Sequence, residues 1–382
     1  MKKKVAIVGY GLTAYTGKGT ARADELIFNA AQLALQKAKI SREEIDMVVV
    51  GTADANDGIT ISNGLLAPAA GAYNRDSIRL ENGGVFAIIS ALATILAGIA
   101  RCIVVASGDA VTFDSISVSN KSYDPFFRRP VGLNHITASA MLATQYMNKY
   151  GATEEDYASV AAKNYKAGAQ NPYAHVKKGY SIKEVLSSPI VSWPLHQYEI
   201  CPTSYGAAAL VLASEAKAKE LGDNPVWITG CGMGSEHYYA DWDEVVDMPG
   251  LRYASQAALK IAGVKNPRKE IDVAEVFNLV SPLELMEYEA LGFCSVGEGK
   301  DLLRQGVTSI EGQLPVNVSG GALCTNGLNS GGLFRTIQAA MGLRHEMPEV
   351  RVNAKKALVC DSDLNLGFPG ESHAVIVLER SV

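Results

Sequence analysis

The sequence repeats itself, and this repeat limits the possible fold more than any other feature. The apolar helical spacing and the Glu-Ile-Asp strand start of residues 34–46 return in residues 258–272, with two residues inserted. The apolar run 208–212 returns in the same way as 374–378. Two copies so far apart predict two similar domains rather than a solenoid of short repeats.

Strand and helix patterns alternate within the first copy. Continuous apolar strands are predicted at residues 4–9, 45–51, 78–80 and 101–106, and helices at 23–39 and 85–100. This alternation is typical of parallel βαβ units, and continuous apolar strands indicate a sheet that is covered on both faces. The chain is therefore predicted to have an α/β fold.

One long segment, residues 111–199, has no counterpart in the second copy. We therefore divide the chain into an N-terminal half of residues 1–110 plus 200–240, an inserted loop domain of residues 111–199, and a C-terminal half of residues 241–382. Long insertions commonly carry function, so the inserted segment is predicted to cover a substrate.

Composition and charge exclude several classes of function. A net charge of −5 gives no overall attraction for nucleic acids or anionic lipids. The longest apolar stretch, residues 85–100, is too short to span a bilayer, and the N-terminus lacks the features of a signal peptide, so a cytoplasmic protein is expected. The six cysteines form no CxxC pair, which argues against disulfides and a metal site.

Four stretches of the chain, residues 150–174, 193–208, 284–294 and 317–321, carry a resemblance to a known family. They resemble the thiolase superfamily, most closely the sterol-carrier-protein thiolases and the archaeal and bacterial thiolases that pair with a small zinc-ribbon OB-fold chain. The resemblance covers essentially the whole chain. It implies a thiolase fold, in which two βαβαβ halves form five αβαβα layers, and usually a dimer formed through the N-terminal half.

The usual catalytic positions of that family are substituted in this chain. The nucleophilic Cys falls on Leu80, the His-Asp pair on Phe277 and Asn278, the His of the Gly-His-Pro motif on Asn326, and the base Cys near Leu366. A leucine cannot carry an acyl group. If the resemblance holds, the chemistry must proceed without the usual nucleophile or does not occur.

Three other side chains are candidates for the missing chemistry. Cys324 is the best-placed thiol, although a small packed cysteine fits the sequence as well. Glu81 is either a base or a solvated acid at a helix N-terminus. His373 is either a base or a hydrogen-bonded structural histidine.

Three asparagines lie at or beside the substituted positions: Asn82, Asn278 and Asn326. Each has two alternative roles. Their amide N–H groups suit an oxyanion hole, and their side chains equally suit the capping of glycine-rich turns. Contacts to substrate or coenzyme A are predicted for Asn82, Ser319, Gly320, Gly321, Arg128 and Arg129; for the two arginines an ordinary exposed turn is the alternative.

These residues leave three hypotheses about function. The first is carbon–carbon bond chemistry on CoA thioesters, of acyl-transfer or retro-aldol type, with a general base and oxyanion donors but no acyl-cysteine. The second is a non-catalytic subunit that scaffolds an active thiolase chain or the small zinc-ribbon chain. The third is ordinary thiolase activity through Cys324. An acyl-CoA ligand without a bound cofactor, and a homodimer or a heteromer with one of those chains, are expected.

Overall fold

The computed structural model describes residues 4–110, 115–222, 224–236, 246–347, 354–363 and 372–380. The strands are β1 (Val5–Leu12), β2 (Met47–Gly51), β3 (Asp76–Leu80), β4 (Cys102–Asp109), β5 (Ile190–Ser192), β6 (Leu195–His196), β7 (Gly206–Ser214), β8 (Val226–Ser235), β9 (Val273–Glu275), β10 (Lys356–Ser362) and β11 (Ser372–Arg380). The first helices are α1 (Ala23–Ala38), α2 (Asp54–Asp57), α3 (Asn63–Ala69), α4 (Gly84–Leu96), α5 (Ser115–Ser122), α6 (His135–Tyr150), α7 (Glu154–Gly168), α8 (Ile182–Leu186) and α9 (Glu215–Leu221). The remaining helices are α10 (Pro249–Ala262), α11 (Pro267–Glu270), α12 (Ser281–Ala290), α13 (Gly299–Arg304), α14 (Gly321–Cys324) and α15 (Gly331–Leu343).

The two halves of the large sheet follow the repeat in the sequence. Nine strands are hydrogen-bonded in the order β3-β2-β4-β7-β1-β8-β11-β10-β9. The two halves meet at the junction of β1 and β8. Outward from that junction, each half begins with its first strand in the chain (β1 or β8), continues with its last strand (β7 or β11), and ends with the remaining strands. An isolated bridge between Ala274 and Val316 occupies the place in the second half that β3 holds in the first. The predicted repeat is therefore confirmed.

Only some neighbouring strands are parallel. β2 pairs in parallel with β3 and β4, as β10 does with β9, whereas the other pairs of the large sheet are antiparallel. The expected parallel units are thus confirmed for β2, β3, β4, β9 and β10 only. The connection from Ser362 to Ser372 is too short for a helical crossover, so β11 returns antiparallel to β10. The inserted segment occupies the equivalent connection, between β4 and β7.

Helices cover both faces of each half of the sheet. Two sheet layers, one shared central layer of helices and two outer layers of helices together give five layers. Apolar side chains of both halves meet α4 and α15 in one central core, while α1 and α10 cover the two outer faces. Glycines on the first strand of each half let these outer helices approach closely. A Cβ atom at Gly9 would lie 2.3 Å from the backbone oxygen of Ala34, and one at Gly232 would lie 2.1 Å from that of Ala254. The predicted αβαβα arrangement is confirmed.

The inserted segment forms its own layer over the second half. It contains α5 to α8 and the β5–β6 pair, and α7 packs against α12 and α14. The exact boundaries of the three predicted regions stay a prediction. Within the described ranges, no helix is long and apolar enough to cross a membrane.

Candidate active site

The helix tip at which relatives of the expected family keep their nucleophile lies between the two halves. β3 ends at Leu80, Gly83 precedes α4, and the start of α4 packs directly on the start of α15: a Cβ at Gly84 would lie 2.1 Å from the backbone nitrogen of Leu333. Leu80 is half-buried and packs against the central core. Its side chain offers no nucleophile, and the assignment of the family's nucleophile position to Leu80 stays a prediction.

The neighbours of Leu80 have distinct surroundings. Asn82 donates a hydrogen bond to Asp363 at 2.7 Å, which links the helix tip to the end of β10. Glu81 points to solvent, with 54% of its side chain exposed, and forms an ion pair with Arg79 at 2.6 Å. The structure thus places Glu81 in the solvated environment that was one of its two predicted alternatives.

Asn326 lies in a small polar cluster that the sequence did not predict. Its amide nitrogen lies 3.1 Å from the sulfur of Cys201. Its backbone N–H donates to Ser204 Oγ at 3.0 Å, and Ser204 Oγ lies 3.0 Å from Nδ1 of His175. Burial lowers the pKa of His175, so this imidazole is predominantly neutral at pH 7. Asn326 itself is 3% exposed.

A pocket of about 350 Å³ opens next to this cluster. The rings of Tyr180 and Tyr198 stack with their centroids 4.3 Å apart, and Tyr165 meets Tyr180 edge-on at 4.9 Å. Cys201 also lines the pocket. The full lining is Ile136, Tyr165, Val176, Tyr180, Val191, Gln197, Tyr198, Ile200, Cys201 and Pro202, most of it from the inserted segment. We call it the tyrosine pocket.

None of the six cysteines is activated as a nucleophile. Cys324 is fully buried, its sulfur donates to the backbone oxygen of Asn164 at 3.4 Å, and burial raises its pKa. Burial also raises the pKa of Cys201 to about 12. The same effect raises the pKa of each remaining thiol, those of Cys102, Cys231, Cys294 and Cys360. A thiol with a raised pKa holds little thiolate at pH 7.

The predicted turn residues Ser319, Gly320 and Gly321 are buried within the protein. Ser319 donates to Glu275 at 2.5 Å, and burial raises the pKa of Glu275 to about 7. Gly320 and Gly321 have φ values of 95° and 61°, which explains why glycine is needed at both. These contacts support the fold of the turn.

Asn278 caps that same turn from the opposite side. Its side-chain oxygen accepts from the backbone N–H of Ala322 at 2.8 Å, and its nitrogen donates to Glu284 at 2.7 Å. Asn278 is fully buried, so its surroundings match the capping alternative.

His373 is fully buried, and both ring nitrogens have partners. Nδ1 lies 2.8 Å from Ser362 Oγ, and Nε2 lies 3.1 Å from Glu236. This arrangement matches the alternative of a structural histidine. The position near Leu366, whose lost base His373 could have replaced under the other alternative, lies outside the described residues.

The aromatic and basic loop is an ordered turn. Asp124 accepts the backbone N–H groups of Phe126 and Phe127 at 3.0 and 2.7 Å, while both rings point to solvent. Arg129 donates to the backbone oxygen of Lys121 at 2.5 Å. Arg128 is half-exposed in the same turn.

Arg335 is a further residue of the site that the sequence analysis missed. It lies on α15, is fully buried, and forms an ion pair with Asp361, which also accepts the backbone N–H of Val85 at 3.2 Å. The ring of Phe277 lies 5.0 Å from the guanidinium carbon. A single charged residue in the mostly apolar stretch 333–341 is the signal that would have identified it.

Comparisons of this chain with known proteins agree with the fold described above. The family described as thiolase C-terminal domain-like matches residues 232–380. The solved structure of the Ltp2-ChsH2(DUF35) aldolase superposes with a TM-score of 0.81 at 26% identity, covering 98% of this chain and 97% of that one.

The chain is thiolase-like, similar to members of the thiolase superfamily over nearly its whole length.

Two curated relatives define the branch of the superfamily more narrowly. Sterol carrier protein 2 of Bos taurus is 28% identical over 99% of this chain and 72% of its own length. The 17-hydroxy-3-oxo-4-pregnene-20-carboxyl-CoA lyase of Mycobacterium tuberculosis is 28% identical over 84% of this chain and 86% of its own length. This thiolase-like chain is therefore similar to the sterol-carrier-protein thiolases, as the sequence predicted.

Proposed function

We propose that this chain cleaves or forms a carbon–carbon bond in a β-hydroxyacyl-CoA thioester by a retro-aldol reaction. The observation that carries the proposal is the pairing of Asn326 with the tyrosine pocket, in a chain whose nucleophile position is Leu80. An amide N–H donor and a cavity are what a lyase needs to bind a thioester, and neither requires a covalent intermediate.

The proposed step conserves atoms and electrons without a bound cofactor. A base takes the proton of the β-hydroxyl group, and the bond between the α- and β-carbons breaks. Its electron pair forms the enolate of the shorter thioester, and the β-carbon leaves as an aldehyde or ketone. The enolate then takes a proton at its α-carbon. In this scheme the amide nitrogen of Asn326 donates to the enolate oxygen, and it cannot itself move protons.

The proton acceptor is the part that experiment must assign. Glu81 and His373 are the residues that the sequence suggests. His175 is a third candidate, because it is neutral at pH 7 and is linked to Asn326 through Ser204. Comparing Glu81→Gln, His373→Gln and His175→Gln by their pH–rate profiles identifies the base, since only its loss removes the acidic limb.

We also propose that the chain works with a partner. The solved structure that it resembles is that of the Ltp2-ChsH2(DUF35) aldolase, whose name joins two components. The small zinc-ribbon OB-fold chain expected from the sequence resemblance is the partner that we favour, with a homodimer or a second thiolase chain as alternatives. Native mass spectrometry of the complex isolated from its source distinguishes these assemblies by mass.

The test uses purified full-length chain, alone and with that small partner chain, and a β-hydroxyacyl-CoA with a bulky alicyclic β-substituent. The expected result is a shorter acyl-CoA together with the free carbonyl compound, and exchange of α-hydrogen for deuterium in the product thioester. Absence of both reactions in either assembly would contradict the proposal and favour the scaffold alternative.

A further inference from the structure

Arg335 has more hydrogen-bonding capacity than its ion pair uses. Its Nη2 pairs with Asp361, but Nε and Nη1 have no hydrogen-bond partner among the described residues, although both atoms are buried. A buried donor without a partner is costly, and in native proteins it generally has a reason. One polar group close to the guanidinium group is the carboxamide of Asn326.

Nη1 of Arg335 and the side-chain oxygen of Asn326 both border the space beside Gly331. A Cβ built at Gly331 would lie 3.3 Å from Nη1 and 3.7 Å from the Asn326 oxygen, so these two atoms lie within 7.0 Å of each other without forming a hydrogen bond. Glycine at position 331 leaves the space between the two groups free of a side chain. On its other side the guanidinium group lies against the ring of Phe277, whose π face attracts a cation.

A carboxamide has two ends of nearly equal size, and its partners decide which end points where. The amide oxygen is attracted by the cation of Arg335, whereas the amide N–H₂ group is repelled by it. With the oxygen on the Arg335 side, the nitrogen points at Cys201, 3.1 Å away on the wall of the tyrosine pocket. In the opposite orientation, an acceptor would face the pocket in place of a donor.

We propose that Arg335 is a positioning residue that holds the Asn326 carboxamide with its N–H donor towards the tyrosine pocket. This inference deepens the proposed function, because it explains how an untitratable side chain is kept in the one orientation that can stabilise an enolate oxygen. Arg335 acts through Asn326 and has no contact with the substrate in this scheme.

A test that needs no turnover uses Cys201 as a reporter. The rate at which iodoacetamide alkylates Cys201 is measured by peptide-resolved mass spectrometry in wild type, Arg335→Gln, Asn326→Ala and the double variant. In Arg335→Gln the amide is free to turn its oxygen to the thiol, which stabilises the protonated form. The expected result is an alkylation rate about tenfold lower, equivalent to one pKa unit.

The double variant separates this effect from simple loss of charge. Without the Asn326 amide, Arg335→Gln should lower the rate by less than about threefold, because only the distant charge is removed. If Arg335→Gln lowered the alkylation rate by the same factor with and without the Asn326 amide, the proposal would be wrong. If Arg335→Gln does not fold, Arg335→Lys replaces it, because lysine keeps the positive charge but not the position of Nη1. The proposal then requires that Arg335→Lys lower the alkylation rate by a larger factor in the presence of the Asn326 amide than in Asn326→Ala.

The results for the positioning role of Arg335 can be distinguished from the results for the proposed lyase function. If wild type cleaves the thioester, Arg335→Gln should lower kcat while KM stays within about twofold, and it should have no further effect in Asn326→Ala. If wild type shows no cleavage but the alkylation cycle behaves as expected, the positioning role stands and the lyase proposal fails. If wild type cleaves the thioester but Arg335→Gln lowers the alkylation rate by the same factor in both backgrounds, the lyase proposal stands and the positioning role fails.

Discussion

The amide nitrogen of Asn326 lies 3.1 Å from the sulfur of Cys201, although 125 residues separate the two in the chain. This contact joins a turn of the C-terminal half to the stretch of the N-terminal half that directly follows the inserted segment, on the wall of the tyrosine pocket. It places a non-titrating N–H donor beside a cavity and a protonated thiol. The chemistry that we propose follows from this combination.

Removal of that donor should reduce the rate of carbon–carbon cleavage. We expect Asn326→Ala to lower kcat by about 100- to 1000-fold, the usual effect of losing one oxyanion donor. Steady-state kinetics with the β-hydroxyacyl-CoA measure this change. Asn29→Ala, on the exposed surface of α1, is the matched control and should keep wild-type activity. Unchanged activity in Asn326→Ala would remove this residue from the mechanism.

The stacked tyrosines should affect substrate binding more than chemistry. In Tyr198→Ala the stacking with Tyr180 is lost, and aromatic pairs of this kind contribute about 0.5–1.5 kcal/mol. If that loss falls on substrate binding, KM should rise by about 2- to 13-fold with kcat nearly unchanged. Tyr73→Ala removes a tyrosine that is 67% exposed and serves as the control. A fall in kcat with constant KM would instead place Tyr198 in the reaction itself.

The fold was more accessible to sequence reasoning than the site. The repeat of residues 34–46 at 258–272 predicted the two halves, because apolar periodicity is local. The placement of Leu80 before α4 followed from the family pattern. The cluster of His175, Ser204 and Asn326 could not be predicted, because its members meet only after the inserted segment has folded onto the C-terminal half. Antiparallel pairing of β7 was missed for a similar reason.

Glu284 should be essential for stability. It is fully buried, pairs with Lys163 at 2.6 Å, and accepts from Asn164, Asn278 and Asn317. Glu284→Gln leaves Lys163, whose side chain is only 9% exposed, without its counter-charge, and we expect the free energy of unfolding to fall by about 3–5 kcal/mol.

Urea denaturation measures this loss, and a second ion pair of α7 provides the control. Lys166 and Glu311 lie 3.2 Å apart, with 63% and 70% of their side chains exposed, so Glu311→Gln should change stability by less than about 1 kcal/mol. Similar losses in the two variants would contradict the role given to Glu284.

Stability should also depend on the protonation of Asp109. Burial raises its pKa to about 6, while it accepts from the backbone N–H groups of Asn329 and Ser330 at 2.8 and 3.0 Å. Because the folded state holds this proton more tightly than the unfolded state, the contribution to stability is greatest below about pH 4. It is lost as the pH rises through about 6.

Asp109→Asn does not titrate, so its free energy of unfolding should decline less steeply between pH 4 and 7 than that of wild type. Denaturation curves collected across that range measure the slope. Asp76→Asn, at an exposed position of β3, should keep the wild-type slope. A slope unchanged by Asp109→Asn would show that this carboxyl group is not the one that titrates.

The most direct test of the account is to look for a covalent intermediate during turnover. The reaction with β-hydroxyacyl-CoA is stopped with acid after several turnovers, and the intact chain and its cysteine peptides are weighed by mass spectrometry. We predict cleaved product together with a chain of unmodified mass, because Leu80 cannot accept an acyl group. An acyl group found on any of the six cysteines at a rate matching product formation would contradict the account.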